Sequence, residues 1–588
     1  MKKLRQIGGN FLFLFRPYWR YGKAFIIISL ISAAVAVPIG QVAGVTVAQA
    51  VIDTVMAGET FGTVLKVVGM YFGVYAVTQL LQTEIDFYYS GWKKEQIGVR
   101  IREDIFWQAM RTDLKWIDDP AYFNNFRLAL DRFERESQRT LSFAVQFVTS
   151  LITSLSMVGV IAQVGIEVAL IVAAGQILAI ILQSKLVSEQ MKVWPEEIKL
   201  RRRLDYTTRI CHQSNYAPDL KSTRSASLLM RLYRGGAEEY VAFVRRNFRR
   251  FMRYTLGSDF VSRIAQYGVI LYIAYGLLTG RVESVGVYAT LIAASTVLSS
   301  NLSTFSFIFP QMNEFNQAAN MIREFFSLSS PIETSKGIEP PQDQFELELA
   351  DVSFAYPNNP NFALRNISLV ARPGEKIAIV GENGAGKTTM MKLMLRLYDV
   401  DGGEIRVNGR SIREYDVHAL RLRVGVAFQQ PSVYAMSLRD NLQTYREAED
   451  ATLREALEQS GLGRLKDDLD QEITREFRGT GIVLSGGETQ KLALARIFAG
   501  DFGLLLLDEP SSALDPLAEY ELMKQLLSHA NKTTTIMIAH RLSTVRHFDR
   551  IYVVDKGQII EEGTHEELMG LGGKYAEMFS KQAENYVS

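Results

Sequence analysis

Six stretches of the sequence are apolar for too long, and too far round, to belong to a water-soluble fold. A helix needs about 20 predominantly apolar residues to cross roughly 30 Å of hydrocarbon. Ala24–Val47, Val64–Tyr88, Leu141–Gln163, Glu167–Val187, Leu256–Leu278 and Val285–Phe309 meet that requirement. A helix on a soluble core shows one apolar face, whereas these are apolar most of the way round, as lipid-buried helices are. The third and fourth nearly touch around Gly165, which predicts a hairpin with a very short turn. Phe11–Tyr21, where aromatics alternate with Arg16, Pro17 and Arg20, reads as an interfacial helix leading into the first span.

Basic residues set the orientation. They crowd the start (Lys2, Lys3, Arg5, Arg16, Arg20, Lys23), the segment between spans two and three (Lys93, Lys94, Arg100, Arg102, Arg111, Lys115) and the segment between spans four and five (Arg201, Arg202, Arg203, Arg245, Arg246, Arg249, Arg250). The loops around Asp53–Thr63, Gly165 and Thr279–Ser284 hold only Arg281. The positive-inside rule therefore expects both termini and both long loops of a multi-pass protein in the cytoplasm. The expected location is the cell inner (plasma) membrane, with an organellar membrane as the alternative. Overall the charges cancel, with 65 Lys+Arg against 64 Asp+Glu, so no nucleic-acid partner is expected. The basic loops read instead as helical extensions of the spans with charges on solvated faces. Cys211 is the single cysteine, so no intramolecular disulfide can form.

Composition shifts to Ser, Pro, Gly and charge at 329–343, which reads as a linker. Beyond it, Lys376–Val380 is a short apolar strand, Gly381-Glu382-Asn383-Gly384-Ala385-Gly386 a Gly-rich turn, and Lys387-Thr388-Thr389 opens a helix. Strand, loop and helix in that order form a phosphate-binding loop. Its glycines let backbone N–H groups converge on phosphates at the positive end of a helix. Lys387 is placed to reach the β- and γ-phosphates of ATP, and the Thr388 hydroxyl to ligate Mg²⁺. Leu504–Leu507 is an all-apolar run of the kind that forms a central parallel strand, and Asp508 and Glu509 close it where α/β sheets hold their ligands. Asp508 suits the Mg²⁺ shell, and Glu509 suits polarisation of an attacking water.

A third motif, Leu484-Ser485-Gly486-Gly487-Glu488-Thr489-Gln490, lies between the other two and resembles the signature of ATP-binding cassette (ABC) proteins. The chain as a whole resembles an exporter-type half-transporter of that family. The resemblance implies a nucleotide site built from Tyr356, which would stack on adenine, Gly381 to Thr389, and Ser485 to Glu488. Gln429 would join the metal site, with Gln430 beside it leaving the choice open. Asp515 would lie on the loop between two nucleotide sites, and His540 would contact the γ-phosphate. Glu509, His540, Lys387 and Gln429 are thus the expected catalytic set, and Thr388, Gln429 and Asp508 the expected Mg²⁺ set. The expected fold is an all-α polytopic membrane domain over 1–328, six transmembrane helices with long cytoplasmic extensions. The linker and an α/β nucleotide-binding domain over 344–588 follow.

In the family the signature turn caps ATP held by another subunit, so the resemblance implies a second half-transporter, an identical chain first and a different one as the alternative. It also implies alternating access, with contact helices near Ile117–Phe126 and Tyr216–Ser225 transmitting closure of the cassettes. Polar residues inside spans are costly and often line pathways. Gln41, Gln49, Gln79, Gln82, Glu84, Asp86, Gln146, Gln176, Gln266, Tyr272 and Asn301 are the candidates, although glutamines also join helices. That amide- and aromatic-rich set suits export of a small amphipathic or peptide cargo. A lipid or lipid-linked glycan flippase is the alternative, and an ATP-gated channel or regulatory subunit a third reading that an intact Glu509 disfavours.

Overall fold

The computed structural model describes residues 2–85, 90–163, 165–213, 216–280, 284–357, 359–477, 479–511, 516–529 and 533–587. Contacts divide the chain into two units, residues 1–109 with 123–327, and residues 110–122 with 328–588.

The first unit is helical throughout, and six of its helices are long and apolar enough to cross a membrane among the described residues. A leading helix, Lys2–Tyr21, precedes them. It is not a surface appendage: Leu14 and Tyr18 are buried, and Asn10 bonds Asn316 and Asn320 through its amide (2.9 and 2.8 Å). The first span, Lys23–Met56, carries a π segment at Ser32–Ala36, where the Val37 N–H reaches back five residues to the Ser32 carbonyl. Pro38 is the physical reason. It lacks an N–H and its ring crowds the carbonyl four residues back, so the helix widens locally instead of breaking.

Phe61–Thr83 forms the second span, and Pro120–Ala162 and Glu167–His212 form the hairpin expected around Gly165. The fifth helix, Ser225–Leu278, has 54 residues. At 1.5 Å per residue it is about 80 Å long, far more than the membrane needs. The excess pairs with the preceding helix through Arg203–Glu239 and Arg246–Glu196 (each 2.7 Å) and Arg250–Glu189 (3.1 Å). Arg203, Arg246 and Arg250 of this loop are thus matched by carboxylates across the two helices. The last long helix is Val285–Phe326, capped by the Ser284 hydroxyl on the Val287 N–H.

The second unit contains two sheets. β1 (Leu347–Phe354), β2 (Leu364–Ala371), β4 (Gly402–Val407) and β5 (Arg410–Ser411) form an antiparallel sheet ordered β2-β1-β4-β5. The other sheet is ordered β10-β9-β3-β8-β7-β6. It contains β3 (Lys376–Val380), β6 (Val424–Ala427), β7 (Leu504–Asp508), β8 (Thr534–Ile538), β9 (Arg550–Asp555) and β10 (Gln558–Gly563). Only β10 runs antiparallel. Every residue of β7 and β8 is buried, as parallel strands covered on both faces must be.

The loop segment that clusters with this unit carries a short helix at Leu114–Ile117, and the next helix starts at Pro120. The expected segment Ile117–Phe126 therefore spans the end of the short helix and the start of the long one, because Pro favours the first position of a helix and starts the new one there. The loop is held by Asp113 N–H on Ser330 Oγ (3.2 Å), Glu333 N–H on Asp113 Oδ1 (3.0 Å), Trp116 Nε1–H on the Ser329 carbonyl (2.7 Å) and the Tyr398 hydroxyl on Asp118. The 329–343 segment is accordingly an anchored strap at its start. The second expected contact segment contains the helix Ala217–Ser222, with Pro218 in its first turn.

Candidate functional site

β3 delivers the chain into the turn at Gly381, and the helix Lys387–Met394 starts on Gly386. The backbone explains two of the glycines. Gly381 has φ +155°, and a Cβ there would lie 2.1 Å from the Val554 carbonyl oxygen. Gly386 has φ +107°, and a Cβ would meet Leu364 Cδ2 at 2.6 Å. Lys387 is buried, and its ammonium donates to the carbonyls of Gly381 (2.7 Å) and Glu382 (3.0 Å), which keeps it along the loop. Burial lowers its pKa, opposed by the carboxylates of Glu509 and Asp508.

Those carboxylates arrive from β7. Asp508 is its last residue, and Glu509 follows with φ +48°, a left-handed conformation that costs a residue with a Cβ about 1–2 kcal/mol. The kink sends the two side chains different ways. The Asp508 Oδ2 accepts from the Thr388 hydroxyl at 3.0 Å, while Oδ1 is buried with no hydrogen-bond partner among the described residues. Burial raises the Asp508 pKa, with the Thr388 hydroxyl opposing it. Glu509 is held by both oxygens: Gln429 Nε2–H donates to Oε2 at 3.0 Å, and His540 Nε2 lies 2.8 Å from Oε1. Of the two adjacent glutamines it is Gln429 that reaches Glu509, and Gln490 Nε2–H contacts the Gln429 carbonyl at 3.5 Å.

A cleft of about 480 Å³ is lined by Tyr356, Asn383, Gly384, Gly386, Lys387, Thr388, Thr389, Gln429, Glu509, His540 and Ala363, whereas Asp508 is buried and does not line it. The Tyr356 hydroxyl is 3.1 Å from Thr389 Oγ1, and its ring is met edge-on by Phe354 and Tyr398. Three expected residues are turned elsewhere. Glu382 faces Lys574 at 2.8 Å, and Ala385 and Gly381 are buried beneath the loop. Asp515 lies outside the described residues.

The signature turn does not line this cleft. Ser485 caps the helix Gly486–Phe498 in a capping box: its hydroxyl accepts from Glu488 N–H (3.3 Å), and Glu488 Oε2 accepts from Ser485 N–H (2.9 Å). Ser485 and Gly486 are exposed, so the positive end of a well-made helix is presented outward. The hydrogen bond from the Ser485 backbone, with Arg464 second, holds the Glu488 carboxyl below its ordinary range.

Two partners of the site carry no motif. Ala363 lines the cleft from the loop before β2. Gln582, on the last helix Lys574–Val587, accepts from Leu542 N–H (2.9 Å) and donates to the His540 carbonyl (2.6 Å), bracketing the histidine turn. No sequence pattern marks a lone glutamine on a polar C-terminal helix for that place.

The fold and cleft define a phosphate-loop ATPase cassette joined to a polytopic membrane domain, and comparisons with known proteins agree. Residues 364–512 match the family model described as ABC transporter. The chain is 27% identical over 589 residues to the ATP-dependent lipid A-core flippase of Alkalilimnicola ehrlichii, covering 96% of this chain and 95% of that one. It is likewise 27% identical over 532 residues to the subtilin transport ATP-binding protein SpaT of Bacillus subtilis, covering 88% and 85%. A solved structure, a bacterial Atm1-family ABC exporter with ATP bound, superimposes with a TM-score of 0.74 at 22% identity, covering 96% of this chain and 98% of that one. The chain therefore belongs to the ABC transporters as an exporter-type half-transporter, a multi-pass membrane protein whose cassette binds ATP and whose ATPase activity is coupled to transport. Half-transporters of this kind function as dimers.

Proposed function

We propose that two copies of this chain form an exporter in the cell inner (plasma) membrane, termini in the cytoplasm, that uses Mg²⁺-dependent ATP hydrolysis to move an amphipathic compound outward. The observation that carries the reading is the convergence of Lys387, Thr388, Gln429, Glu509 and His540 on one cleft. Lys387 and the loop N–H groups bind the phosphates, and Tyr356 takes the adenine face. Glu509, tethered at both oxygens, orients a water and accepts its proton, while Gln429 and His540 fix its position.

The residues suit Mg²⁺. Asp508 Oδ1 is a buried acceptor without a donor among the described residues, and the Thr388 hydroxyl is bonded to the other oxygen of the same carboxylate. One carboxylate, a hydroxyl and the Gln429 amide form a set of hard oxygen ligands of the kind Mg²⁺ shares with substrate phosphates. When bound, the ion would neutralise charge on those phosphates. The exposed signature turn supports the second chain, since its helix start is free to cap a phosphate held elsewhere.

A lipid or lipid-linked glycan flippase is the second reading, favoured by the lipid A-core flippase aligned along nearly the whole chain. The first reading is tested by ATP hydrolysis of the purified chain in lipid beside Glu509→Gln. Turnover by the wild type and a loss of at least about 100-fold in the variant are expected, the usual cost of removing a general base. A folded wild type that does not hydrolyse ATP would overturn the homodimer.

A further inference from the structure

Cargo recognition is where the membrane unit offers an unassigned site. A cavity of about 540 Å³ lies among the first, second, third and last spans, lined in part by Ser29, Ser32, Gln82, Lys94, Gln146 and Thr149. Three observations give it chemical character. Lys94 is the sole charged residue of the lining and, among the described residues, makes no ion pair or hydrogen bond, whereas its neighbour Lys93 is bonded to Gln96 at 2.6 Å. Ser29, Ser32, Gln82, Gln146 and Thr149 likewise make no side-chain hydrogen bond among the described residues. Their polar groups face the cavity, in a region where an unsatisfied polar group is expensive. Finally, one wall is the π segment Ser32–Ala36, and π-bulges inside helices are frequent at functional sites.

The lining also holds Ser142, whose hydroxyl is bonded to the Gln138 carbonyl, Asn301, bonded to Gln41, and Ser150 and Thr304, together with the apolar residues Phe25, Ala33, Val37, Ile85, Leu141 and Val145. A free cation, a ring of unpaired hydroxyls and amides, and an apolar wall complement a single molecule with an anionic, hydrogen-bonding head and a hydrocarbon body. The volume suits a drug-sized ligand or the head and first part of the chain of a larger amphiphile. We infer that this cavity is a cargo site selective for anionic amphiphiles, with Lys94 as the charge-recognition residue. The inference rests on the exporter reading above. Lys94 and the first-span residues Phe25 to Val37 belong to the cytoplasmic ends of their helices in that reading, so cargo would be taken from the inner leaflet or the cytoplasm.

The test uses the full chain in nanodiscs of zwitterionic lipid, with dodecyl phosphate, dodecyl maltoside and inorganic phosphate as probes, the amphiphiles added below their critical micelle concentrations. Thermal shift without nucleotide reads binding, and ATP hydrolysis reads coupling. Dodecyl phosphate should stabilise the wild type and stimulate hydrolysis. Lys94→Ala should raise its half-saturating concentration about tenfold, the effect of one desolvated charge contact. Lys94→Arg should restore selectivity, and Lys93→Ala should leave it intact. Equal responses to dodecyl maltoside, saturation by inorganic phosphate alone, or an unaltered Lys94→Ala would each overturn the site. Because the thermal shift needs no turnover, loss of basal hydrolysis would instead count against the exporter reading.

Discussion

The bracket that Gln582 places on the histidine turn makes a quantitative prediction. Its amide joins Leu542 N–H and the His540 carbonyl at 2.9 and 2.6 Å, so Gln582→Ala deletes both bonds without replacing any residue that lines the nucleotide cleft. Each bond contributes about 1 kcal/mol net, so the ordered turn loses about 2 kcal/mol against its alternatives. At 1.36 kcal/mol per decade the ceiling is a loss of about 30-fold in kcat. Water replacing part of the lost bonding brings the expectation to about tenfold. His540 reaches Glu509 at 2.8 Å, so what changes is the pose of the catalytic carboxylate. ATP hydrolysis by the full chain in lipid should therefore show kcat reduced about tenfold with KM for ATP within about twofold. Gln582→Glu should do no better, because it sets a carboxylate against the His540 carbonyl. An unchanged kcat, or a raised KM with kcat intact, would refute the reasoning.

Three further outcomes follow from the same geometry. Gly381→Ala should abolish ATP binding or folding of the cassette, because its Cβ would lie 2.1 Å from backbone oxygen at φ +155°; equilibrium binding of a fluorescent ATP analogue that matched wild type would contradict this. Asp508→Asn should raise the melting temperature of the nucleotide-free protein while eliminating Mg²⁺-dependent hydrolysis. The folded-state pKa of Asp508 is raised, so keeping it ionised opposes folding at neutral pH, and that cost fades as pH falls through the folded value. Glu488 has the opposite sign. Its folded pKa is lowered from 4.5, so the capping box stabilises the signature helix above that pH and is lost as pH falls through the folded value. Ser485→Ala, read by acid titration of cassette unfolding, should cost about 1 kcal/mol at pH 7 and less in acid.

The membrane half and the cassette were legible in sequence for different reasons. Hydrocarbon accepts only helices that satisfy their own backbone, so six long apolar runs announced six spans. The phosphate loop and the strand ending in Asp508-Glu509 were legible because strand, turn and helix are local in sequence. What remained hidden depends on the third dimension. Gln429 and Gln430 are equivalent as letters, and only the packing of the two chain segments brings Gln429 to Glu509. Among the intramembrane candidates, Gln82, Gln146 and Asn301 line the cavity, and Gln41 accepts from Asn301 at 3.3 Å. Gln176 instead joins helices through Ser299 at 2.7 Å, Gln266 contacts Thr296 at 3.4 Å, and Tyr272 packs in an apolar cluster. Gln79 and Glu84 are exposed, and Asp86 lies outside the described residues. Lys94 counted in sequence only as one more orienting cation, because charge patterning records where a residue falls along the chain and not which cavity it faces. Sequence periodicity and composition thus determined which segments enter lipid and which loop can hold phosphate. Tertiary packing decided which of several chemically identical side chains meet, because hydrogen bonds and cavities are set over a few ångströms between residues that can lie hundreds of positions apart.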